Sequence, residues 1–344
     1  MKFDVVVGNP PYQDQNVGNN NQATPIYNYF YELAEKIGNE YCLISPARFL
    51  SNQGATPKAW NKKMLNDEHL EIEYVNSKSM AVFPGVDIKG GVAILHRNRD
   101  KNFGAIDTFI PFDELRSIFH KIKLCSENTL SSMVFSPDSY RFTDRVFEDH
   151  PELRNRTDAS HLKAVASSVF IRYPEIFFDE LPLDGEKYSQ IYGRLSGQRT
   201  CKYVKRIYIA EHANLDKWKV ILPGANGTGA FGETLSTPII GEPGIGHSQT
   251  FVSIGAFDTK FEAEALLKYI KSKFGRAMLG IMKTTQNNQS KNSWSKVPLQ
   301  NFTETLNDVD WNDAINKIDE QLYEKYGLSS DEKMFIEDNV KSMA

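Results

Sequence analysis

The sequence is poor in cysteine and has no long apolar run. Its three cysteines, Cys42, Cys125 and Cys201, stand far apart among 344 residues, which excludes a disulfide framework and a cysteine-based zinc site. No apolar run approaches the roughly 20 residues that span a bilayer, and the opening MKFDVVVGNPPY is not a signal peptide. These absences predict a cytoplasmic protein, neither secreted nor embedded in a membrane.

Several catalytic signatures are also missing. There is no phosphate-binding loop that ends in Gly-Lys-Ser/Thr and no Ser/His/Asp order typical of a hydrolase. The seven histidines show no metal-ligand spacing, so the sequence predicts no metal site.

The small net charge of -4 conceals a strong asymmetry along the chain. Residues 187–219 contain eight lysines and arginines but only two acids, and residues 271–303 contain six basic residues and no acid. Residues 304–344 carry eleven acids and four lysines, which cancel the basic middle. Acid-poor stretches interleaved with aromatic and amide side chains indicate a surface that follows phosphates.

Strands and helices alternate over the first hundred residues. Residues 3–8 (FDVVVG) form a continuous β-branched run, as expected of a parallel strand buried on both faces. Thr24-Pro25 and Thr56-Pro57 are predicted to begin helices, because a threonine cap followed by proline suits a first turn. Further strands are expected at 40–45, 70–75 and 91–96, the last two as an antiparallel hairpin. This order predicts part of an open α/β sheet.

The regular alternation stops after residue 99. One helix is predicted over 260–274 and another over 315–326, and Ser329 with Glu332 indicates a capping box for a final helix. The polar segment near 97–104 marks a boundary. We therefore expect three parts, residues 1–103, residues 104–303 and a helical tail at 304–344, with the middle part of mixed α+β structure.

The tetrapeptide Asn9-Pro10-Pro11-Tyr12 directly follows the first strand. A loop at the carboxyl end of a parallel strand faces the crevice where α/β sheets bind ligands. Methylation of an aromatic amino group requires acceptors that draw its hydrogens away, so that the nitrogen lone pair is directed at the methyl group. The Asn9 amide oxygen and the Pro10 carbonyl suit this role, and Tyr12 suits stacking on a base that has left the duplex.

This motif resembles the catalytic loop of amino-group methyltransferases that depend on S-adenosylmethionine. Residues 41–50 (YCLISPARFL) and 81–95 (AVFPGVDIKGGVAIL) are similar to segments of the adenine-specific DNA methyltransferases of restriction-modification systems. The resemblance implies a partial Rossmann-like methyltransferase sheet and a catalytic set of Asn9, Pro10, Pro11 and Tyr12. It also assigns base stacking to Phe83, which as a side chain could equally anchor a core.

Residues 187–209, 219–232 and 251–299 are similar to the target-recognition region of combined, Type IIG-like methylases. The resemblance therefore implies that residues 1–103 are the C-terminal half of the catalytic domain and that residues 104–303 recognise duplex DNA. The basic side chains predicted to contact DNA are Arg194, Arg199, Lys202, Lys205, Arg206, Lys283, Lys291 and Lys296.

The chain departs from this family in one respect. The family's glycine-rich donor loop and its acidic partner precede the catalytic motif, whereas only eight residues precede Asn9. The glycine-rich segments 224–229 and 241–246 do not open helices in our prediction and are expected to be turns or recognition loops. We thus expect the C-terminal part of a longer enzyme, whose N-terminal part or a restriction subunit is a partner, and strand 3–8 as a sheet edge.

Two alternatives remain open at this point. One is a DNA-binding specificity module or a truncated remnant without catalysis. The other keeps the chemistry but changes the substrate to RNA or to a protein glutamine, because related motifs also serve those reactions.

Overall fold

The computed structural model describes residues 3–14, 24–51, 55–76, 79–88, 90–283, 286–305 and 308–343. The chain divides into two compact units, Met1–Phe112 and Asp113–Ala344. The division falls beyond the expected 103/104 boundary, and residues 304–344 lie within the second unit. Both units combine helices with sheets, as the predicted α/β and mixed α+β classes require.

Eleven strands and nine helices lie in the described part of the chain, and none of those helices has the length and apolar composition needed to cross a membrane. The strands are β1 (Phe3–Gly8), β2 (Gly38–Pro46), β3 (Leu70–Asn76), β4 (Val92–Asn98), β5 (Val134–Phe135), β6 (Tyr188–Leu195), β7 (Gln198–Lys205), β8 (Trp218–Pro223), β9 (Ile239–Gly241), β10 (Ile245–His247) and β11 (Phe251–Phe257). The helices are α1 (Tyr27–Ile37), α2 (Lys58–Leu65), α3 (Asp113–Cys125), α4 (Arg145–Asp149), α5 (Val169–Arg172), α6 (Lys260–Lys271), α7 (Lys273–Met282), α8 (Ile315–Lys325) and α9 (Ser330–Asn339).

The first unit is built on a four-stranded sheet in the order β1-β2-β4-β3. Strands β1 and β2 are parallel, and β4 runs antiparallel to both of its neighbours, β2 and β3. The predicted hairpin of the last two strands is therefore confirmed. Because β1 and β2 run in the same direction, the loops that follow them leave from the same end of the sheet, at the carboxyl ends of both strands.

The core of this unit lies between one face of the sheet and helices α1 and α2. Its centre is a set of aromatic side chains, and the rings of Phe49 and Trp60 lie 4.8 Å apart. On β1 the alternate residues Phe3, Val5 and Val7 are 47, 50 and 76% exposed. The expectation that this strand is buried on both faces is thus wrong, whereas its expected position at a sheet edge is confirmed.

Both predicted helix starts are displaced by competing interactions. Pro25 pairs with Gln13 in an isolated bridge, so α1 begins only at Tyr27 and has no side-chain cap. The Thr56 hydroxyl donates to the Asn61 side chain (2.8 Å) instead of accepting from the backbone of α2. The Thr56 side chain is thus engaged elsewhere, and neither helix is capped by a threonine side chain.

The helix predicted over 260–274 divides into two. Ser272 adopts an extended backbone conformation (ψ 152°), and its hydroxyl accepts from the Gly275 amide to cap α7. At the C-terminus the capping box of Ser329 and Glu332 is confirmed. Gly327 ends the preceding helical segment with φ of +60°, a conformation that glycine adopts without strain.

The second unit contains two sheets, with strand orders β10-β6-β7 and β5-β11-β8-β9. One core packs against the first of these sheets and includes Tyr140, Phe170 and Ile191. Helix α6 packs on β8 and β11 of the other sheet, where it buries Ala263 and Leu266.

A lysine is buried within this second unit. The ammonium of Lys219, which is 0% exposed, donates to the main-chain carbonyls of Asn214 (2.5 Å), Leu215 (2.9 Å) and Ile245 (2.8 Å). Burial lowers the pKa of Lys219 to about 7, and nearby Asp216 opposes this effect. The side chain ties β8 to the segments that precede it and the strand β10.

Replacing Lys219 by methionine should remove one component of the pH dependence of stability. Because the folded pKa lies below the usual 10.5, the unfolded chain binds more protons between these values, and stability rises with pH there by at most about 1.4 kcal/mol per unit. Urea unfolding at several pH values between 7 and 10 measures the slope. Lys219→Met should also unfold more easily at pH 7, because three carbonyls lose their donor.

The matched control is Lys217→Met, because the Lys217 side chain is 43% exposed and pairs with Asp258 on the surface. This control should keep the wild-type slope. A Lys219→Met protein with the wild-type pH dependence would show that the buried lysine does not contribute to it.

Candidate active site at the Asn9–Tyr12 loop

The Asn9–Tyr12 loop is fixed by backbone hydrogen bonds to the start of α1. The Ile26 amide donates to the Tyr12 carbonyl (3.2 Å), and the Asp14 amide donates to the Thr24 carbonyl (3.0 Å). These bonds continue the bridge between Gln13 and Pro25 and hold the loop at the carboxyl end of β1. The predicted catalytic residues Pro10 and Pro11 stiffen the loop further, since their φ angles are restricted.

Within the loop, two of the predicted residues are in direct contact. The Tyr12 hydroxyl donates to the Asn9 side-chain oxygen at 2.7 Å. Burial raises the pKa of Tyr12, and the Asn9 hydrogen bond only partly opposes this, so the hydroxyl remains a neutral donor. The Asn9 oxygen thus already serves as an acceptor, the function that an incoming amino group would require.

An open apolar cavity of about 210 Å³ lies between β1 and α1. Asn9 and Pro10 line it together with apolar side chains of both elements, among them Val7, Phe30 and Leu33. The loop therefore borders a space on the exposed side of the edge strand.

Phe83 lies in the loop between β3 and β4 of the same unit. Ser79 organises that loop, because its hydroxyl donates to the Val86 carbonyl (2.9 Å) and accepts from the Ile88 amide (2.7 Å). Phe83 is partly buried but is not a member of the unit's aromatic core. Among the described residues its ring does not contact Tyr12, so its stacking role stays a prediction.

Neither glycine-rich segment has the form of a nucleotide-binding loop. Residues 224–229 follow β8 and lead to β9, and residues 241–246 join β9 to β10, so neither opens a helix. In the first segment the Glu233 carboxylate accepts from the amides of Thr228 (2.8 Å) and Gly229 (3.1 Å). These two amides are therefore satisfied by the chain itself.

Several of the predicted DNA-binding side chains have acidic partners on the surface. Lys202 pairs with Asp179 (2.6 Å), while Arg206 pairs with both Glu211 (2.7 Å) and Asp216 (3.0 Å). Asp179 and Glu211 are 81 and 85% exposed, whereas the side chains of Lys202 and Arg206 are only 14 and 18% exposed. The contact of Lys202 and Arg206 with DNA therefore stays a prediction.

Other members of the predicted set differ in their surroundings. Arg199 donates to the carbonyls of Ser236 and Thr237, and Lys205 lies 4.0 Å from Glu186. Lys296 lies over the Phe119 ring, 5.0 Å from its centroid. Arg194 and Lys291 are exposed, and neither forms an ion pair within the described part of the chain.

Lys283, which the sequence assigns to DNA contact, is buried in the structure, and its contact with DNA stays a prediction. Its side chain is only 4% exposed and pairs with Glu233, and it also donates to the Asn226 carbonyl (3.2 Å). Burial raises the pKa of Glu233, but the hydrogen bonds from Lys283 and from two backbone amides outweigh this and lower it. Lys283 therefore stabilises the glycine-rich loop as part of a buried ion pair.

A cluster that the sequence spacing does not indicate lies on the open face of the first sheet. His96 of β4 lies between Glu40 (2.6 Å) and Glu71 (2.8 Å), and Glu73 is 3.4 Å away. A register shift in β3 between Ile72 and Tyr74 accompanies this grouping. Burial lowers the pKa of His96, but its hydrogen bonds to Glu71 and Glu40 prevail and raise it. The three carboxylates thus surround the imidazole and favour its protonated form.

The family comparison covers the segment that contains the loop. Residues 1–83 match the family model described as Eco57I restriction-modification methylase. This match confirms the resemblance to restriction-modification methylases over that segment and supports a methyltransferase role in restriction and modification. No curated protein matches the chain.

Two solved structures are similar to the chain at low identity. The type IIG restriction endonuclease BpuSI is 12% identical with a TM-score of 0.32, and the alignment covers 91% of this chain and 49% of that one. The Type IIL restriction-modification enzyme MmeI, solved in complex with DNA, is 9% identical with a TM-score of 0.38, over 98% and 56% of the two chains. The present chain thus spans about half the length of these enzymes.

Substitutions of Tyr12 should separate the contribution of its ring from that of its hydroxyl. Tyr12→Phe keeps the ring and releases the Asn9 oxygen, so methylation of DNA should continue, whereas Tyr12→Ala should lose about 1–3 kcal/mol of stacking. Transfer of labelled methyl groups to unmethylated duplex DNA measures both variants. Tyr29→Ala, at a 60% exposed tyrosine of α1, is the control and should behave as wild type. Equal losses in the Phe and Ala variants would contradict a stacking role.

Exposed and buried basic side chains should respond differently to substitution. Arg194→Ala and Lys291→Ala should each reduce the slope of log affinity against log salt by about 1 and leave urea unfolding unchanged. Lys283→Ala should keep the slope but lower stability by about 3–5 kcal/mol, because Glu233 would remain as a buried unpaired charge. Titrations of a fluorescent duplex at several salt concentrations test this. A reduced slope for a fully stable Lys283→Ala protein would restore Lys283 to the DNA surface.

Proposed function

We propose that this chain carries the catalytic loop and the target-recognition part of an adenine-N6 DNA methyltransferase of a restriction-modification system. The observation that carries the proposal is the fixed contact between Asn9 and Tyr12 at the carboxyl end of a parallel strand pair, in a segment matched by a methylase family. Residues 113–344 would select the DNA sequence, and the exposed Arg194 and Lys291 would contact phosphates.

In this proposal the loop acts on the exocyclic amino group of an adenine outside the duplex. The amino group donates one hydrogen bond to the Asn9 oxygen, where it replaces the Tyr12 hydroxyl. It donates a second hydrogen bond to the Pro10 carbonyl. These two hydrogen bonds hold the amino hydrogens out of the plane of the ring and so reduce conjugation of the nitrogen lone pair with the ring. Release from Asn9 allows the Tyr12 ring to stack on the base, which holds the flipped nucleotide.

S-adenosylmethionine, as the donor of such enzymes, would supply the electrophilic methyl group. The residues described here do not form a complete site for it, because Glu233 fills one glycine-rich loop and the other is a turn between strands. The chain's own contribution is therefore restricted to holding and orienting the amino group.

The lack of a complete donor site among the described residues favours a second candidate, a DNA-binding specificity module without catalysis of its own. In that case duplex binding would persist while no methyl transfer occurs with this chain. RNA and protein glutamine are the other acceptors to be compared with DNA in the same transfer assay.

Replacement of Asn9 by alanine tests the proposed chemistry. The variant lacks the acceptor for the amino group, and loss of one such polar contact reduces turnover by roughly 10²–10³-fold. Duplex affinity should change little, because the exposed Asn9 contributes no charge. Nucleoside analysis for N6-methyladenine measures the effect in DNA treated with a longer enzyme that joins this chain to a donor-binding segment.

Asn39→Ala provides the control, since Asn39 is an exposed asparagine on β2 of the same unit. It should keep wild-type methylation. Methylation by Asn9→Ala at the wild-type rate would overturn the assigned chemistry. Duplex binding without methylation, even by a wild-type enzyme that also supplies a donor-binding segment, would favour the second candidate.

A further inference from the structure

Two donor groups with no acceptor lie near the Asn9–Tyr12 loop. Arg48 is the second residue of the 3-10 turn Ala47–Ser51, which directly follows β2, and Tyr27 is the first residue of α1, which follows β1. Since β1 and β2 are parallel, both residues lie at the same end of the sheet as the loop. The Ile26–Tyr12 hydrogen bond places the start of α1 directly beside it.

Neither group is satisfied by the protein. Tyr27 is 0% exposed, and its hydroxyl has no hydrogen-bond partner, although Arg48 and Thr56 are close enough to oppose the rise in its pKa that burial causes. The Arg48 Nε is buried without a partner as well, and no described carboxylate pairs with the guanidinium. Buried polar groups without partners are rare in folded proteins, so two of them close together point to a ligand.

Both side chains are held by rigid surroundings. The Tyr27 ring packs against Phe49 (6.1 Å) and Trp60 (6.0 Å). Behind Arg48, a Cβ atom on Gly90 would lie 2.8 Å from the Arg48 Cβ, so only glycine permits this approach of the β3–β4 loop. The positions of both side chains are thus fixed by the packing of the protein itself.

The electrostatics of the pocket favour an anion. The guanidinium carries a fixed positive charge with several donors, and the raised pKa keeps the Tyr27 hydroxyl protonated. The first turn of α1 has neither an acidic residue nor a side-chain cap, so the positive end of its dipole is uncompensated at the same end of the sheet.

We propose that Arg48 and Tyr27 form a phosphate subsite for the phosphodiester next to the nucleotide that the Asn9–Tyr12 loop holds. This inference rests on the proposed action on DNA. A nucleotide turned out of the duplex presents its flanking phosphate beside its base, and an arginine fork with an adjacent hydroxyl matches phosphate oxygens. Arg48 is thereby assigned to substrate positioning.

Four variants test the subsite by titration of a fluorescent duplex at several salt concentrations. Arg48→Met should weaken binding about tenfold and reduce the salt slope by about 1, since one phosphate contact is lost. Arg48→Lys should recover most of the slope, and Tyr27→Phe should weaken binding a few-fold without changing it. Arg99→Met, at an exposed arginine following β4 at the opposite end of the sheet, should match wild type.

Urea unfolding of each variant separates loss of the subsite from loss of the fold. Wild-type affinity and slope in a folded Arg48→Met protein would overturn the subsite while leaving the DNA proposal intact. If the wild type does not bind duplex, the DNA proposal fails, and ³¹P line broadening of inorganic phosphate decides the subsite. Broadening by wild type but not by Arg48→Met would retain an anion site of another source, and equal broadening by both, or none, would exclude it.

Discussion

The parallel pairing of β1 with β2 is the constraint on which the first unit depends. It places the carboxyl ends of both strands at the same end of the sheet, so that residues far apart in sequence become neighbours there. The Asn9–Tyr12 loop follows one strand and Arg48 follows the other, while α1 begins at the same end with Tyr27. A loop held between a strand and a helix start can present its acceptors in a fixed orientation, as transfer to a weakly nucleophilic amino group requires.

The bridge from Gln13 to Pro25 adds a local constraint to this arrangement. It delays the start of α1, with the consequence that the helix has no side-chain cap. The same backbone hydrogen bonds fix the loop against the start of the helix. The departure from the expected cap is therefore linked to the geometry of the site.

Charge in the second unit is organised by long-range pairing. Lys283 and Glu233 are 50 residues apart and form a buried ion pair that closes the glycine-rich loop. Lys219 satisfies three carbonyls from two separate segments. Both lysines lie in stretches that contain few acids, yet their charges stabilise the fold, so the charge run along the sequence overstates the number of basic side chains at the surface.

The sequence by itself determined the alternation of strands and helices in the first unit, the loop after β1 and the capping box of Ser329 with Glu332. These features depend on residues within a few positions of one another, whose hydrogen bonds and side-chain periodicity are set locally. The tertiary structure alone decided that Lys283 is buried, that His96 lies among three glutamates and that Arg48 lacks an acidic partner. Such outcomes depend on burial and on partners from distant segments, which local sequence patterns do not encode.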